Sequence, residues 1–524
     1  MITNPEEKMS EFDIILITGE VYFDHPLSGT AMIKRLLEKY GYSVGLIEMP
    51  VSSLDVTKLG KPKLFFGVTS GNVDSMVKNY TPLKKLRSED QYNTREENYS
   101  PDRAVTVYSN WIKQHFKDVK IVLGGTEGSL RRFIHYDYWQ NRLRKPILFD
   151  SRADILIYGS GEKQVLEIAK RIKEGKDLVG VKGTCIIAKE LPEDFEELPN
   201  AEELIGPDMD SDKAKERFCD MQNMLTNKKN LGQKIDTRYC LQYKSPKYTS
   251  KDLDEYYELP FGRTGPKELR GFDFSVVTHR GCIGNCNFCS LTLLQGTDII
   301  SRSEESILKE IKYITTLPHF KGNIDDLGGP SANMYGMDCG KCNRECLKCN
   351  VLDRSNKRMI NLLKKTRSIP RVKNVYIKSG IRYDLANEEY IKEVAEHHIF
   401  DTLRVAPEHT NKEILRLMNK DYGDLEKFRN IFKKYSKGKE LSYYYMTAHP
   451  GSSQKEAEEL GREVKKLRNA DAVQVFTPTP MSVSTCMYYT GMDPKTKKKI
   501  YVPYAYKEKK EQKRATMKSS NKNY

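Results

Sequence analysis

The sequence predicts an α/β protein with an N-terminal doubly wound, Rossmann-like domain and a C-terminal partial (β/α)6 barrel of the TIM type. Two observations support this prediction. Short apolar runs that end in glycine, such as 12–19 and 120–125, alternate with helical patterns up to residue 172, which is typical of a doubly wound parallel sheet. From residue 274 onwards, six further strand patterns alternate with helices, and several of these helices begin with capping-box spacing.

The chain is expected to divide into four segments. They are a Rossmann-like domain at 11–190, an inter-domain connection at 191–265, the barrel domain at 266–495, and a basic, disordered tail at 496–524. Nine Lys or Arg residues fall within 495–514. Such a charge-rich tail lacks the apolar side chains needed to bury a core, so we expect disorder there.

Composition limits the classes of protein to which the chain can belong. It has 524 residues, 38% of them hydrophobic, and a net charge of +15. That length is enough for two or three domains, and the basic excess fits either a lysine-rich solvated surface or a nucleic-acid partner. No signal-peptide pattern or long apolar run is present, so we expect a cytoplasmic protein without a membrane segment.

Three cysteines form the most informative motif, Cys282-x3-Cys286-x2-Cys289. Three thiolates can hold three irons of a [4Fe-4S] cluster and leave the fourth iron open to a small molecule. A zinc knuckle is the alternative, although structural zinc requires four protein ligands. A disulfide framework is disfavoured, because the number of clustered cysteines is odd and no secretion signal is present.

A second cysteine motif follows with the spacing C-x2-C-x3-C-x2-C. Its members are Cys339, Cys342, Cys346 and Cys349. Four thiolates can close a site around structural zinc or an auxiliary [4Fe-4S] cluster, and the spacing does not distinguish the two. The scattered cysteines are expected to be structural: they are Cys185, Cys219, Cys240 and Cys486.

The three-cysteine motif, with Phe288 before its third cysteine, resembles the signature of the radical S-adenosylmethionine (radical SAM) superfamily. The resemblance implies a [4Fe-4S] cluster whose open iron is chelated by the amino and carboxylate groups of SAM, and reductive cleavage of SAM to a 5′-deoxyadenosyl radical. Further segments, including 326–330, 379–384, 406–409 and 487–491, resemble the functionally uncharacterised YgiQ-type family over residues 11–495.

The same resemblance implies the residues that contact SAM. Gly328 and Gly329 follow the second barrel strand, where a glycine-rich turn usually meets the SAM amino group, and Pro330 stands where many members have Glu. Backbone carbonyls are therefore expected to supply the acceptors. Arg404 is expected to bind the methionine carboxylate and Glu408 the ribose hydroxyls; a structural ion pair is the alternative for these two.

Other polar residues at the predicted strand ends have less specific assignments. Ser379 and Arg382 are weaker candidates for ribose or substrate contacts. His409 and His449 fit either an acid, base or substrate-binding role or a structural hydrogen bond. No residue is assigned as catalytic on the substrate.

The N-terminal domain resembles the cobalamin-binding type, but its cobalamin signature is broken. Asp24 and His25 are adjacent and Gly29 follows four residues after His25, whereas the base-off signature is Asp-x-His-x-x-Gly. We therefore expect His25 to be a loop or hydrogen-bonding residue rather than a cobalt ligand. Residues 124–132, with three glycines and two arginines, predict either an anion site or a tight strand-to-helix turn.

Together these features predict a radical SAM enzyme that receives its electron from a flavodoxin or ferredoxin and acts on an unidentified substrate. Two alternatives stay open at this stage. One is cobalamin-assisted radical methyl transfer. The other is a metal-stabilised RNA-binding or RNA-modifying protein that uses the basic tail and the four-cysteine motif.

Overall fold

The structure, a computed structural model, describes residues 11–87, 100–265, 271–340, 346–467 and 472–517. The chain divides into two compact units. The first unit takes residues up to 247 together with 259–270 and 479–497, and the second takes 248–258, 271–478 and 498–524.

The strands are numbered in chain order. They are β1 (Ile14–Thr18), β2 (Val44–Glu48), β3 (Phe65–Thr69), β4 (Lys120–Leu123), β5 (His135–Asp137), β6 (Arg142–Arg144), β7 (Ile155–Ile157), β8 (Thr184–Ala188), β9 (Glu196–Leu198), β10 (Leu231–Ile235), β11 (Arg238–Gln242), β12 (Ser275–Val277), β13 (His279–Arg280), β14 (Ile300–Ser301), β15 (Asn323–Ile324), β16 (Asp326–Gly328), β17 (Asn374–Val375), β18 (Thr402–Glu408), β19 (Glu440–Thr447) and β20 (Ala472–Val475).

The α-helices are numbered in the same way. They are α1 (Gly29–Lys39), α2 (Ser75–Asn79), α3 (Ala104–His115), α4 (Gly125–Ser129), α5 (Ile147–Ser151), α6 (Glu162–Lys173), α7 (Ala201–Ile205), α8 (Asp212–Met224), α9 (Ser250–Tyr257), α10 (Leu291–Gln295), α11 (Glu304–Thr316), α12 (Lys357–Arg367), α13 (Glu388–His397), α14 (Lys412–Leu417), α15 (Leu425–Tyr435), α16 (Gln454–Lys466), α17 (Val483–Thr490) and α18 (Tyr506–Thr516). Within the described ranges, no helix combines the length and the apolar character that a membrane span requires.

The first unit contains a nine-stranded sheet in the order β2-β1-β3-β4-β7-β8-β11-β10-β9. Its first five strands run parallel. Every residue of β1 is buried, as expected for an apolar strand covered on both faces. The order of these five strands, with crossover helices between them, confirms the predicted doubly wound Rossmann-like part.

The predicted inter-domain connection at 191–265 is wrong for much of its length. Its residues supply β9, β10 and β11 to the same sheet, while α9 belongs to the second unit. These strands are not evident in the sequence, because they contain polar residues that are buried in the structure. Gln233 of β10 is fully buried, and its side chain accepts a hydrogen bond from the Ile134 amide (2.8 Å) and donates one to the Pro199 carbonyl (2.9 Å).

The second unit is the predicted partial (β/α)6 barrel. β12 pairs with β16, β15 with β17, β18 with β19, and β19 with β20, all in parallel. An isolated parallel bridge between Ile381 and Val405 links the end of the third strand to β18. The core lies between these strands and the outer helices, and includes Ile311 of α11, Leu363 of α12 and Val394 of α13.

The prediction of a disordered tail at 496–524 is wrong for residues 506–516, which form α18. Gln512 of this helix is fully buried. Its side-chain oxygen accepts a hydrogen bond from the Ala448 amide (3.0 Å), and its amide group donates to the Ser452 carbonyl (2.7 Å). A polar contact at the end of β19 thus orders a helix whose lysine-rich sequence predicts disorder.

Candidate active site at the three-cysteine loop

The three-cysteine loop leaves the barrel after its first strand and is closed at its base. β13 and β14 pair in antiparallel orientation across the base, and the Cys282 amide donates to the Gly296 carbonyl (3.2 Å). Gly281 has a φ of +87°, and a Cβ there would lie 1.9 Å from the Asp298 carbonyl oxygen. Only glycine fits this position, because a side chain would force the two arms of the loop apart.

The cysteine-bearing part of the loop is held against the segment that follows α14. Asn287 donates from its backbone amide to the Met418 carbonyl (2.9 Å) and from its side chain to the Leu417 carbonyl (2.8 Å). Asn419 in turn donates to the Asn285 carbonyl (2.8 Å). These contacts fix the loop backbone at the carboxyl end of the fourth barrel strand, where active sites of such barrels lie.

Burial and neighbouring sulfurs disfavour the ionised forms of two of the three thiols. Burial is the main cause that raises the pKa of Cys289 to about 12, and the nearby Cys286 and Cys282 sulfurs contribute to that rise. Burial and Cys286 likewise raise the pKa of Cys282. Metal ligation requires thiolates, so a bound cation is the means by which this loop would hold three negative sulfurs together.

Arg382 lies beside these sulfurs and is almost fully buried. Its Nη1 donates to the Cys286 sulfur at 3.6 Å, and its guanidinium is paired with Asp384 at 2.7 Å. A Cβ on Gly284 would lie 2.2 Å from that Nη1. The glycine in the motif therefore makes room for the arginine, which sequence reasoning had placed only as a weak ribose or substrate candidate.

Glu408 ends the fourth strand in a strained conformation. Its φ is +71°, which is uncommon for a residue with a side chain and is often found at functional sites. The carboxylate is buried, and Oε2 has no hydrogen-bond partner among the described residues. Oε1 lies 3.6 Å from the Lys420 ammonium, and burial raises the pKa of Glu408.

Gly328 and Gly329 turn against a buried histidine. A Cβ on Gly329 would lie 2.6 Å from His279 Cε1. The Thr278 hydroxyl lies 3.1 Å from the Gly328 carbonyl oxygen and 2.9 Å from His279 Nδ1. Nε2 of His279 is buried without a partner in the described part of the chain.

The remaining predicted residues lie less close to the cysteines. Arg404 is exposed on β18, four residues before Glu408, and no described contact brings it to the thiols. Ser379 is exposed and donates to Asp326 (3.3 Å). His409 and His449 are buried, and burial lowers their pKa values to about 4 and about 3, so both are neutral at physiological pH.

The second cysteine motif is only partly described, because Cys342 lies outside the described residues. Cys346 and Cys349 form a turn in which the Cys349 amide donates to the Cys346 carbonyl (3.1 Å). Both pack, together with Cys282, against one small apolar cluster. Among the described residues, which include Cys282, Cys286 and Cys289, no group of three or more His, Cys, Asp or Glu side chains could hold a single metal ion. A [4Fe-4S] cluster differs in this respect, because its thiolate ligands bind separate irons.

The histidine of the broken cobalamin signature already has partners within the protein. His25 is fully buried, stacks on Phe23 and pairs through Nε2 with Arg263 (2.9 Å), while its Nδ1 accepts from the Leu27 amide (3.0 Å). Asp24 binds Arg35 (2.6 Å). His25 is thus engaged at both ring nitrogens.

The glycine-rich segment 124–132 is a tight turn rather than an open anion site. A Cβ on Gly125 would lie 2.2 Å from the Thr69 hydroxyl, so the turn packs closely on β3. Arg131 is paired with the buried Asp74. Arg132 is fully buried and donates to the side chain of Gln242 (2.7 Å).

Sequence reasoning missed three residues of this site. Asp384 pairs with Arg382, Asn333 hydrogen-bonds the Arg382 backbone, and Lys420 reaches Glu408. Their signal in the sequence was their position in segments that follow barrel strands or helices and, for Asp384, the resemblance of 379–384 to the YgiQ-type family.

Comparisons with known proteins agree with this arrangement. The family described as Radical SAM N-terminal matches residues 4–271, the Radical SAM superfamily matches 276–464, and a domain of unknown function matches 471–522. A UPF0313 protein of Methanocaldococcus jannaschii is 43% identical, over 96% of this chain and 89% of its own. A UPF0313 protein of Fusobacterium nucleatum is also 43% identical, over 94% and 93%.

Two solved structures share the fold. The radical SAM methyltransferase TsrM of Kitasatospora setae, with tryptophan and a SAM analogue bound, has a TM-score of 0.53 at 15% identity, over 91% of this chain and 76% of its own. The cobalamin-dependent radical SAM enzyme OxsB, with aqua-cobalamin bound, has a TM-score of 0.50 at 11% identity, over 91% and 55%.

The superfamily implies a [4Fe-4S] cluster and SAM as cofactors, and the chemistry of this site fits them. One short loop supplies three thiols that are neither fully buried nor fully exposed. Two buried polar atoms without a partner among the described residues, Oε2 of Glu408 and Nε2 of His279, lie at the ends of barrel strands, where a bound ligand could supply the missing hydrogen bonds. The chain is an enzyme of the radical SAM class and belongs to the uncharacterised UPF0313 family within the radical SAM superfamily.

Proposed function

We propose that the chain is a cytoplasmic radical SAM enzyme in which Cys282, Cys286 and Cys289 hold a [4Fe-4S] cluster that cleaves SAM. The grouping of the three thiols on one loop at the strand ends is the observation that carries this proposal. When bound and reduced, such a cluster would supply one electron for cleavage of the sulfur–C5′ bond of SAM, which would give methionine and a 5′-deoxyadenosyl radical able to abstract hydrogen from a substrate.

The protein's own residues would bind and orient SAM. The free carboxylate oxygen of Glu408 is an acceptor for hydroxyl groups, and its strained backbone places it at the strand end. The turn at Gly328 and Gly329 is proposed to meet the cationic amino group of SAM through the Gly329 carbonyl, because Thr278 already donates to the Gly328 carbonyl. His279 adds a buried ring nitrogen beside this turn. Arg404 is proposed to bind the methionine carboxylate.

The electron has to come from outside the chain. We propose a flavodoxin or ferredoxin as the donor, because a one-electron carrier of low potential is required to reduce an iron–sulfur cluster of this type.

Cobalamin-assisted methyl transfer is a second candidate, supported by the fold shared with TsrM and OxsB. It receives no support from His25, which is held at both nitrogens. Cobalt in the purified protein after growth with excess cobalamin would favour this candidate over SAM cleavage alone.

Anaerobic reconstitution tests the first proposal. Iron, sulfide, zinc and cobalt are measured together with SAM cleavage under dithionite, for the wild type, Cys286→Ala and the control Cys185→Ala on β8. We expect about four irons for the three-cysteine loop, 5′-deoxyadenosine from the wild type and from the control, and none from Cys286→Ala. Zinc without iron, or full SAM cleavage by Cys286→Ala, would reject the proposal.

A further inference from the structure

We infer that Arg382 and Lys420 set the reduction potential of the cluster at the three-cysteine loop. The inference rests on the proposed function, because it requires that Cys282, Cys286 and Cys289 hold an iron–sulfur cluster. It adds two positioning residues that hold positive charge beside the cluster and touch none of the reacting atoms.

Arg382 directs its charge at one ligand. Its Nη1 donates to the Cys286 sulfur at 3.6 Å, while Nε and Nη2 bind Asp384 at 3.0 and 2.7 Å. The ion pair is therefore oriented, with the cation towards the sulfur and the carboxylate on its other side. Arg382 and Asp384 are both almost fully buried, so water screens this orientation little.

Asn333 fixes the backbone that carries this arginine. Its side-chain oxygen accepts from the Arg382 amide (2.9 Å), and its side-chain amide donates to the Arg382 carbonyl (2.8 Å). Asn333 is fully buried. The guanidinium is thus held in position before any metal binds, and does not need to reorganise when the cluster gains an electron.

Lys420 approaches from the segment that ties down the cysteine loop. Asn419 adopts a left-handed conformation, with φ +52°, and its side chain binds the Asn285 carbonyl. The next residue, Lys420, is almost fully buried and lies 3.6 Å from Glu408 Oε1. The buried Glu408 carboxylate is thus the counter-charge of this ammonium.

Reduction adds one negative charge to a cluster that already carries three thiolates. Nearby buried cations favour the reduced state, because charge interactions are strong where water is excluded. Hydrogen bonds to sulfur and net charge are established determinants of iron–sulfur potentials. Removing either cation should therefore make the cluster harder to reduce, whereas removing the counter-charge of Asp384 should make it easier.

The test is an anaerobic redox titration of the reconstituted full chain without SAM, followed by electron paramagnetic resonance. Arg382→Met and Lys420→Met are each expected to lower the reduced-to-oxidised ratio at a fixed potential by about tenfold, equivalent to ~59 mV for one electron. Asp384→Asn is expected to shift the potential in the opposite direction. Arg416→Met, which removes an exposed arginine paired with Glu413, is the control and should leave the potential unchanged.

The opposite signs separate an electrostatic role from a structural one, since loss of packing alone would not raise the potential in Asp384→Asn. Arg382→Lys keeps the charge and is expected to stay near the wild-type potential, which covers the case in which Arg382→Met fails to fold. Equal potentials in all variants that retain full iron content would overturn the inference. A wild type without a [4Fe-4S] signal would instead reject the proposed function.

Discussion

Asn333→Ala is the substitution with the clearest expected consequence for this site. The asparagine side chain forms one hydrogen bond to the Arg382 carbonyl and one to the Arg382 amide, at 2.8 and 2.9 Å. Alanine leaves the amide without a partner among the described residues, whereas the carbonyl keeps the Leu385 amide as a donor (3.1 Å). The unsatisfied amide costs ~1–3 kcal/mol and the other lost hydrogen bond ~0.5–1.5 kcal/mol, so the free energy of unfolding should fall by ~2–5 kcal/mol once the lost side-chain volume is included.

Differential scanning calorimetry of the anaerobic protein provides the assay. Because the chain has two compact units, the transitions have to be analysed separately. A loss of this size in a domain of this class should lower the Tm of the second unit by ~5–15 °C. Asn374→Ala is the matched control, because Asn374 is exposed on β17, and such surface changes stay within ~0.5 kcal/mol.

The reasoning would be refuted by an Asn333→Ala protein whose Tm equals that of Asn374→Ala. That result would mean that the Arg382 backbone finds other partners at no cost. An equal loss in both variants would mean that the two positions are equivalent, contrary to their different burial.

Three further predictions concern ligand binding, the C-terminal helix and pH. Glu408→Gln should weaken SAM binding about tenfold or more, because hydrogen bonds to a charged acceptor contribute ~1.5–3 kcal/mol. Equilibrium dialysis of the reconstituted protein measures the affinity, and the control Glu413→Gln, at an exposed position, should show no change. Gln512→Ala should lower the free energy of unfolding, measured by urea titration, by ~1–3 kcal/mol, because the buried Ala448 amide loses its acceptor. Lys510→Ala changes an exposed residue of the same helix and should have little effect. A Gln512→Ala protein as stable as the wild type would contradict an ordered α18. Burial lowers the pKa of His449 to about 3, so the stability that depends on its neutral form is present above pH ~6.5 and is lost as the pH falls towards 3, by at most ~1.4 kcal/mol per pH unit. His449→Gln should therefore lose less stability than the wild type between pH 6.5 and 4.5. An unchanged slope of the free energy of unfolding against pH would contradict this.

The fold class followed from patterns that act locally. The buried run of β1 and the alternation of strands and helices are set by hydrophobic periodicity, which the sequence shows directly. Cys282, Cys286 and Cys289 are close together in the sequence and lie in a single loop. The metal-binding chemistry of that loop could therefore also be predicted from the sequence.

The errors arose where long-range contacts outweigh local composition. Gln233 reads as a loop residue but is fully buried in β10, because partners far along the chain satisfy its amide. The lysine-rich α18 reads as disordered, yet Gln512 and Lys509 are buried. A buried polar side chain with distant partners cannot be distinguished from a surface one by periodicity alone.

The electrostatic part of the site was missed for the same reason. Arg382 lies 96 positions from Cys286 along the chain, and no short motif links them. Asn333 and Lys420 acquire their roles only when separate barrel segments meet at the strand ends.

The central claim is that one iron of the cluster at the three-cysteine loop is open to SAM. The most direct measurement is the electron paramagnetic resonance spectrum of the dithionite-reduced, reconstituted protein before and after addition of SAM. We predict a [4Fe-4S] signal that changes when SAM is added, and its absence from Cys286→Ala. A cluster signal that SAM leaves unchanged, or one that persists in full in Cys286→Ala, would contradict the account.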